Sequence, residues 1–202
     1  WVTRATVASG SHRVYARRAE AMQPFVARGA AACGSPAEVA RGAAVVFTNV
    51  TTTADVEQVL FGPGGVAEGA EPGTIVIDHG TISAAATRGF AARLAEQGID
   101  MLDCPVSGGV KGAQAATLSM MVGGRPEVLE RVRPLLELLG KTITHCGGHG
   151  AGQVVKACNQ IVQVVNIEGI AEAMLFASAN GVDPARMLPA LQAGMAGSRM
   201  LD

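Results

Sequence analysis

The sequence predicts a doubly wound α/β domain that gives way to the start of an all-α domain. Strand-like and helix-like segments alternate over residues 1–148, and the alternation then stops in favour of a long helical run. Composition agrees with a packed chain. Apolar residues make up 49% and aromatics only 3%, so the core is built from Ala, Val, Leu, Ile and Met, while 16% charged residues is too few for a disordered polymer.

The elements follow in order. Residues 12–16 read as a short strand and 19–28 as a helix that Gly29 ends. Residues 43–49 are a buried strand, and 53–61 a helix capped from the Thr51–Thr53 run. After the turn Glu71-Pro72-Gly73 comes a strand at 73–79, then an amphipathic helix at 83–97 with Ser83 as its N-cap. Strands are predicted at 99–104, 118–122 and 142–146, with a helix at 126–139. From Gly152 to Asn180 there is no proline and one internal glycine, which predicts one long helix. Asp183-Pro184 then starts a second helix over 184–193. The domains are therefore expected at 1–148 and 149–202.

Several function classes are excluded at this level. The net charge is −1 and no stretch is strongly basic, so nucleic acid is not an expected partner. Cys33, Cys104, Cys146 and Cys158 are scattered with no CxxC pair, which argues against a disulfide framework and for a reducing, cytoplasmic setting. The longest apolar stretch, 161–179, is interrupted by Gln163, Asn166, Glu168 and Glu172, and is expected to be a buried helix rather than a membrane span. His145, Cys146 and His149 lie in an ordinary Gly147-Gly148 loop with no carboxylate nearby, so no metal site is expected.

Two motifs carry chemistry. The first is Asp103-Cys104-Pro105-Val106-Ser107-Gly108-Gly109, followed by Gly112, Thr117 and Met121-Val122-Gly123-Gly124. It follows a strand's carboxyl end, where open α/β sheets bind ligands, and offers a hydroxyl and unhindered N–H groups to a small carboxylate. The second is Gly150-Ala151-Gly152 leading to Lys156, Asn159 and Gln160, which share a helix face at i, i+3 and i+4. Flanking Val155, Cys158, Ile161 and Val162 are expected to desolvate the lysine and lower its pKa, tuning it for proton transfer. Taken singly, a plain turn and a solvated helix lysine explain either motif.

Together the two motifs resemble the β-hydroxyacid dehydrogenase family over residues 12–202. Residues 103–124 follow the family pattern D-x-P-V-S-G-G-x-x-G-A-x-x-x-T-L-x-x-M-V-G-G, and Gly150, Gly152, Lys156 and Asn159 follow G-x-G-x-x-x-K-x-x-N. Val76-Ile77-Asp78 with Thr81-Ile82-Ser83 resembles the family's cofactor-side loop. The resemblance implies a Rossmann-like sheet and hydride transfer between a nicotinamide cofactor and a small hydroxy acid or semialdehyde. Lys156 would be the general acid for reduction and base for oxidation. Ser107, Gly108 and Gly109 would hold the substrate carboxylate, with Asn159 or Gln160 supporting it. Thr81 and the Val50-Thr51 turn would lie along the cofactor, although relatives usually have Leu-Pro at that turn. Residues 136–141, 159–161, 166–168 and 198–201 resemble the tartronate semialdehyde (2-hydroxy-3-oxopropionate) reductase branch. 3-Hydroxyisobutyrate dehydrogenases and a non-catalytic protein on the same fold are the alternatives. Relatives assemble as homodimers or homotetramers, which is the expectation for the whole protein. Neither His79 nor Lys111 receives a role.

The second strand ends Tyr15-Ala16-Arg17-Arg18, with no acid for the ribose of NAD and two arginines able to meet a 2′-phosphate, so NADP is expected in preference to NAD. No G-x-G-x-x-G loop occurs. With Trp1 in place of an initiator Met and Asp202 ending without a cap, the expectation is a truncated chain that lacks the first strand, its glycine loop and most of the helical domain. Such a chain is expected to bind dinucleotide poorly and turn over little.

Overall fold

The computed structural model describes residues 2–5, as backbone, and 12–201. Trp1 and Asp202, on which the expectation of truncation rests, lie outside the described residues. The chain divides into two compact units, Trp1–Lys156 and Ala157–Asp202.

In the first unit the strands are β1 (Val2–Ala5), β2 (Arg13–Tyr15), β3 (Ala31–Ala32), β4 (Val45–Thr48), β5 (Ile75–Asp78), β6 (Asp100–Asp103), β7 (Val106–Ser107), β8 (Leu118–Gly123) and β9 (Gly140–Gly147). The helices are α1 (Gln23–Val26), α2 (Pro36–Ala40), α3 (Thr53–Phe61), α4 (Val66–Gly69), α5 (Ala84–Ala95), α6 (Gly109–Gln114) and α7 (Pro126–Leu136). The strands form one sheet in the order β3-β2-β1-β4-β5-β6-β8-β7, with β9 beside β8. The run β4-β5-β6 is parallel and in register, Thr48 opposite Asp78 and Asp78 opposite Asp103.

These strands are apolar on both faces because both are covered. Val46, Val76 and Met101 pack with Leu60 of α3 and with Phe90 and Leu94 of α5. The alternating set Val45, Ile75, Ile77 and Leu102 packs with Val128, Leu129, Val132 and Leu136 of α7. Helix starts are fixed locally. Thr52 and Asp55 form a reciprocal capping box on α3, and Ser83 caps α5 by accepting the Ala86 N–H at 3.3 Å.

Some of this differs from the sequence reading. Elements β3, α2, α4, β7 and α6 went unread because two to six residues leave no usable periodicity. The sequence placed no strand before residue 12, yet β1 lies between β2 and β4, in the slot of a doubly wound sheet's first strand. It runs antiparallel to both neighbours, Val2 facing Tyr15 on one side and Thr48 on the other. Two facing rows of backbone donors and acceptors in mid-sheet are satisfied by any strand that pairs with both, whatever its direction.

Helix α8 (Ala151–Ala179) begins in the first unit and runs into the second, which also holds α9 (Pro184–Ala193), begun by Asp183 accepting the Ala185 N–H at 2.9 Å. The expectation that 161–179 is a buried helix is not met. Ile161, Val162, Val164, Val165, Leu175 and Phe176 are all exposed. By length and apolar content alone α8 meets the requirement for a membrane span, although Glu168 and Glu172 interrupt it.

Candidate active site and cofactor cleft

Helix α8 is started by a residue far away in sequence. The fully buried Asp103, last residue of β6, accepts the Gly150 N–H at 2.7 Å through Oδ1 and the Gln153 N–H at 3.0 Å through Oδ2. A carboxylate there satisfies first-turn donors and complements the helix dipole. The two glycines permit the approach. Gly150 has φ +83°, and a Cβ on Gly152 would collide with the Met121 carbonyl and lie 2.8 Å from the Asp103 carbonyl. Asp103 thereby joins the strand that leads into the Ser107 loop to the helix that carries Lys156.

Lys156 is 9% exposed, and no carboxylate pairs with it among the described residues. Burial holds its ammonium below the usual lysine range. The source of that burial corrects the sequence reading. Val155, Ile161, Val162 and Cys158 are exposed, whereas Gly152 and Gln153, one turn before the lysine, are buried with it. The amine is therefore desolvated although its apolar flank is exposed. Asn159 and Gln160 fall in the second unit, where Asn159 is half-buried and donates to the Gln160 Oε1 at 3.1 Å.

Ser107 closes β7 opposite Ser119 of β8 and is half-buried. Gly108 and Gly109 follow with φ +137° and +60°, a turn open to glycine, and both are exposed at the start of α6.

The cofactor-side residues are drawn together in part. A cleft of about 330 Å³ opens beyond the carboxyl ends of β2 and β4, lined by Tyr15, Arg17, Val50, Thr51 and Asp55 among others. Arg18 and Thr81 are exposed and do not line it. The loop containing Thr81 is held by Gln153, whose Nε2 donates to the Gly80 carbonyl at 2.8 Å while its Oε1 accepts the Ile82 N–H at 3.0 Å. A guanidinium at the end of the second strand, in a cleft of this size, fits the phosphorylated adenosine end of a dinucleotide. Arg17 is already engaged, its Nη1 lying 3.1 Å from the Asp55 Oδ1.

Beneath these loops lie two adjacent polar residues, Asp78 buried and His79 half-buried. Asp78 Oδ1 accepts the Thr48 hydroxyl at 2.7 Å and the Gly80 N–H at 3.2 Å. Its Oδ2 has no partner among the described residues, and burial pushes the carboxyl up. His79 donates from Nδ1 to the Cys104 carbonyl at 2.7 Å and stacks on Phe47, and burial lowers its pKa. His145 and His149 each hydrogen-bond a backbone carbonyl, of Gly124 and Met101 respectively, so both act as structural pins.

Sequence reasoning missed the roles of Asp103, Gln153 and Asp55. The first two stand inside the two motifs, so their position was the available signal. Asp55 had only its place in a capping box.

Residues 3–148 match the family model described as the NAD binding domain of 6-phosphogluconate dehydrogenase, and residues 150–202 match that described as NAD-binding of NADP-dependent 3-hydroxyisobutyrate dehydrogenase. The chain is 47% identical over 174 residues to a 2-hydroxy-3-oxopropionate reductase of Escherichia coli (strain K12), covering 86% of this chain and 60% of that protein. A Mycobacterium tuberculosis 3-hydroxyisobutyrate dehydrogenase solved with L-serine superposes with TM-score 0.86 at 37% identity, covering 93% of this chain and 64% of that one. A structure of Psf3 in complex with NADP+ and 2-OPP gives TM-score 0.87 at 32% identity, covering 94% and 67%. The chain thus spans 60% of the length of the curated relative.

Proposed function

The chain belongs to the β-hydroxyacid dehydrogenase family, and we propose that the whole protein interconverts a small β-hydroxy acid and its semialdehyde with Lys156 as the general acid and base. The observation that carries this reading is the buried ammonium of Lys156, with no carboxylate paired to it among the described residues. A lysine of lowered pKa gives up a proton readily, and its neutral form is within reach for the reverse step.

When bound, a nicotinamide cofactor supplies or takes up the hydride. In reduction, Lys156 Nζ places positive charge beside the carbonyl oxygen, stabilises the negative charge that develops there, and transfers its proton to that oxygen. In oxidation, neutral Lys156 takes the hydroxyl proton. Ser107 with the Gly108 and Gly109 backbone holds the substrate carboxylate. Arg17, with Val50 and Thr51, holds the adenosine end of the cofactor, NADP in preference to NAD.

Similarity to a 2-hydroxy-3-oxopropionate reductase favours that semialdehyde as substrate, and likeness to the M. tuberculosis enzyme keeps 3-hydroxyisobutyrate as the second reading. A substrate panel on the whole protein separates them. Replacing Lys156 by Ala is expected to lower kcat by roughly 10²–10⁴-fold. Full activity in that variant overturns the mechanism, and faster turnover of 3-hydroxyisobutyrate overturns the choice of substrate.

A further inference from the structure

The Arg17–Asp55 pair complicates the expectation drawn from the end of β2. There the absence of an acid pointed to a 2′-phosphate. The fold supplies an acid to the same cleft from another element, the first turn of α3. Asp55 is fixed in place. Its Oδ2 accepts the Thr52 hydroxyl at 2.7 Å and the Thr52 N–H at 3.2 Å, and its Oδ1 faces Arg17 Nη1 at 3.1 Å. The Thr52 hydroxyl bond and the Arg17 charge hold its carboxyl below the ordinary carboxylate range, so it is ionised at neutral pH.

We infer that Asp55 is a specificity-determining residue of the cofactor cleft, its carboxylate drawing on the Arg17 charge that would otherwise go to a 2′-phosphorylated adenosine. This inference rests on the cofactor reading proposed above. A 2′-phosphate that reaches Arg17 must displace Asp55 or share the guanidinium with it, and it meets like-charge repulsion in doing so. An unphosphorylated ribose meets no such repulsion and finds in Asp55 an acceptor for its hydroxyl. The cleft is thereby held to a modest preference, set by two residues on different elements.

The test uses adenosine 2′,5′-bisphosphate and 5′-AMP as probes, because both need only the Arg17 end of the site. Each is titrated by ligand-observed NMR against the whole protein as wild type, Asp55→Asn, Arg17→Gln and the double variant. Asn at 55 keeps an acceptor for the Thr52 N–H while removing the charge, and thermal melting checks that each variant is folded. The expected result is a gain of roughly two- to fivefold in the bisphosphate-to-AMP affinity ratio for Asp55→Asn, in line with the worth of an exposed ion pair. Arg17→Gln lowers the ratio, and adding Asp55→Asn to it restores little. An unchanged or reduced ratio in folded Asp55→Asn overturns the inference while leaving the cofactor reading standing. Failure of the wild-type whole protein to bind either probe overturns both.

Discussion

Asp103 Oδ2 accepts the backbone N–H of Gln153 at 3.0 Å, fifty residues further along the chain. With the Gly150 N–H on its other oxygen, this carboxylate fixes where α8 starts and hence which face carries Lys156 inward. Substituting Ala at 103 leaves two buried donors without a partner. Stability is expected to fall by about 2–4 kcal/mol, measured by urea unfolding. A loss below about 0.5 kcal/mol would show that water replaces the carboxylate.

Gly152 lies close against the sheet, where a Cβ would meet the carbonyls of Met121 and Asp103. Gly152→Ala is expected to cost about 1–3 kcal/mol through overpacking, despite alanine's better helix propensity. Gly169, in the same helix, has open space where a Cβ would sit, so Gly169→Ala is the control, expected to be neutral or stabilising by up to about 1 kcal/mol. Equal effects at the two sites would contradict the packing argument.

Gln153 bridges the helix to the loop that bears Thr81, through Gly80 and Ile82. Gln153→Ala is expected to speed hydrogen exchange at the Ile82 amide by at least about tenfold, more than at the core amides of β5. Uniform acceleration through both segments would indicate global destabilisation instead.

Asp78 and His79 are adjacent and respond to pH in opposite senses. The folded pKa of Asp78 is raised by burial, so its contribution is fully present below the ordinary value of 3.8 and is lost as pH rises through the folded pKa. The folded pKa of His79 is lowered by burial, so its contribution is present above 6.5 and is lost as pH falls through the folded pKa. Asp78→Asn is therefore expected to gain on wild type as pH rises from 4 towards neutrality, and His79→Phe to flatten the loss of stability below 6.5. Denaturant midpoints taken across this pH range test both, and parallel pH curves for wild type and variants would contradict the assignment.

Much of the fold was legible because its signals are local. The apolar runs of β4, β5 and β6, the caps at Thr52, Ser83 and Asp183, and the uninterrupted run of α8 each lie within a few residues of the structure they specify. The candidate site was legible for the same reason. Ser107-Gly108-Gly109 and the Gly150–Asn159 spacing are short patterns that recur in a family.

What the sequence determined by itself was therefore the α/β class, the change to helix after residue 148, and the identity of Lys156 as the residue to watch. Only the tertiary structure decided that Lys156 is buried while its apolar flank is exposed, that Asp103 anchors the start of its helix, that Asp55 engages Arg17, and that β1 runs antiparallel in mid-sheet. Each depends on groups from separate elements meeting in space. Periodicity and capping act over one or two turns of chain, whereas these meetings are set by sheet register and helix docking, which no short stretch of sequence encodes.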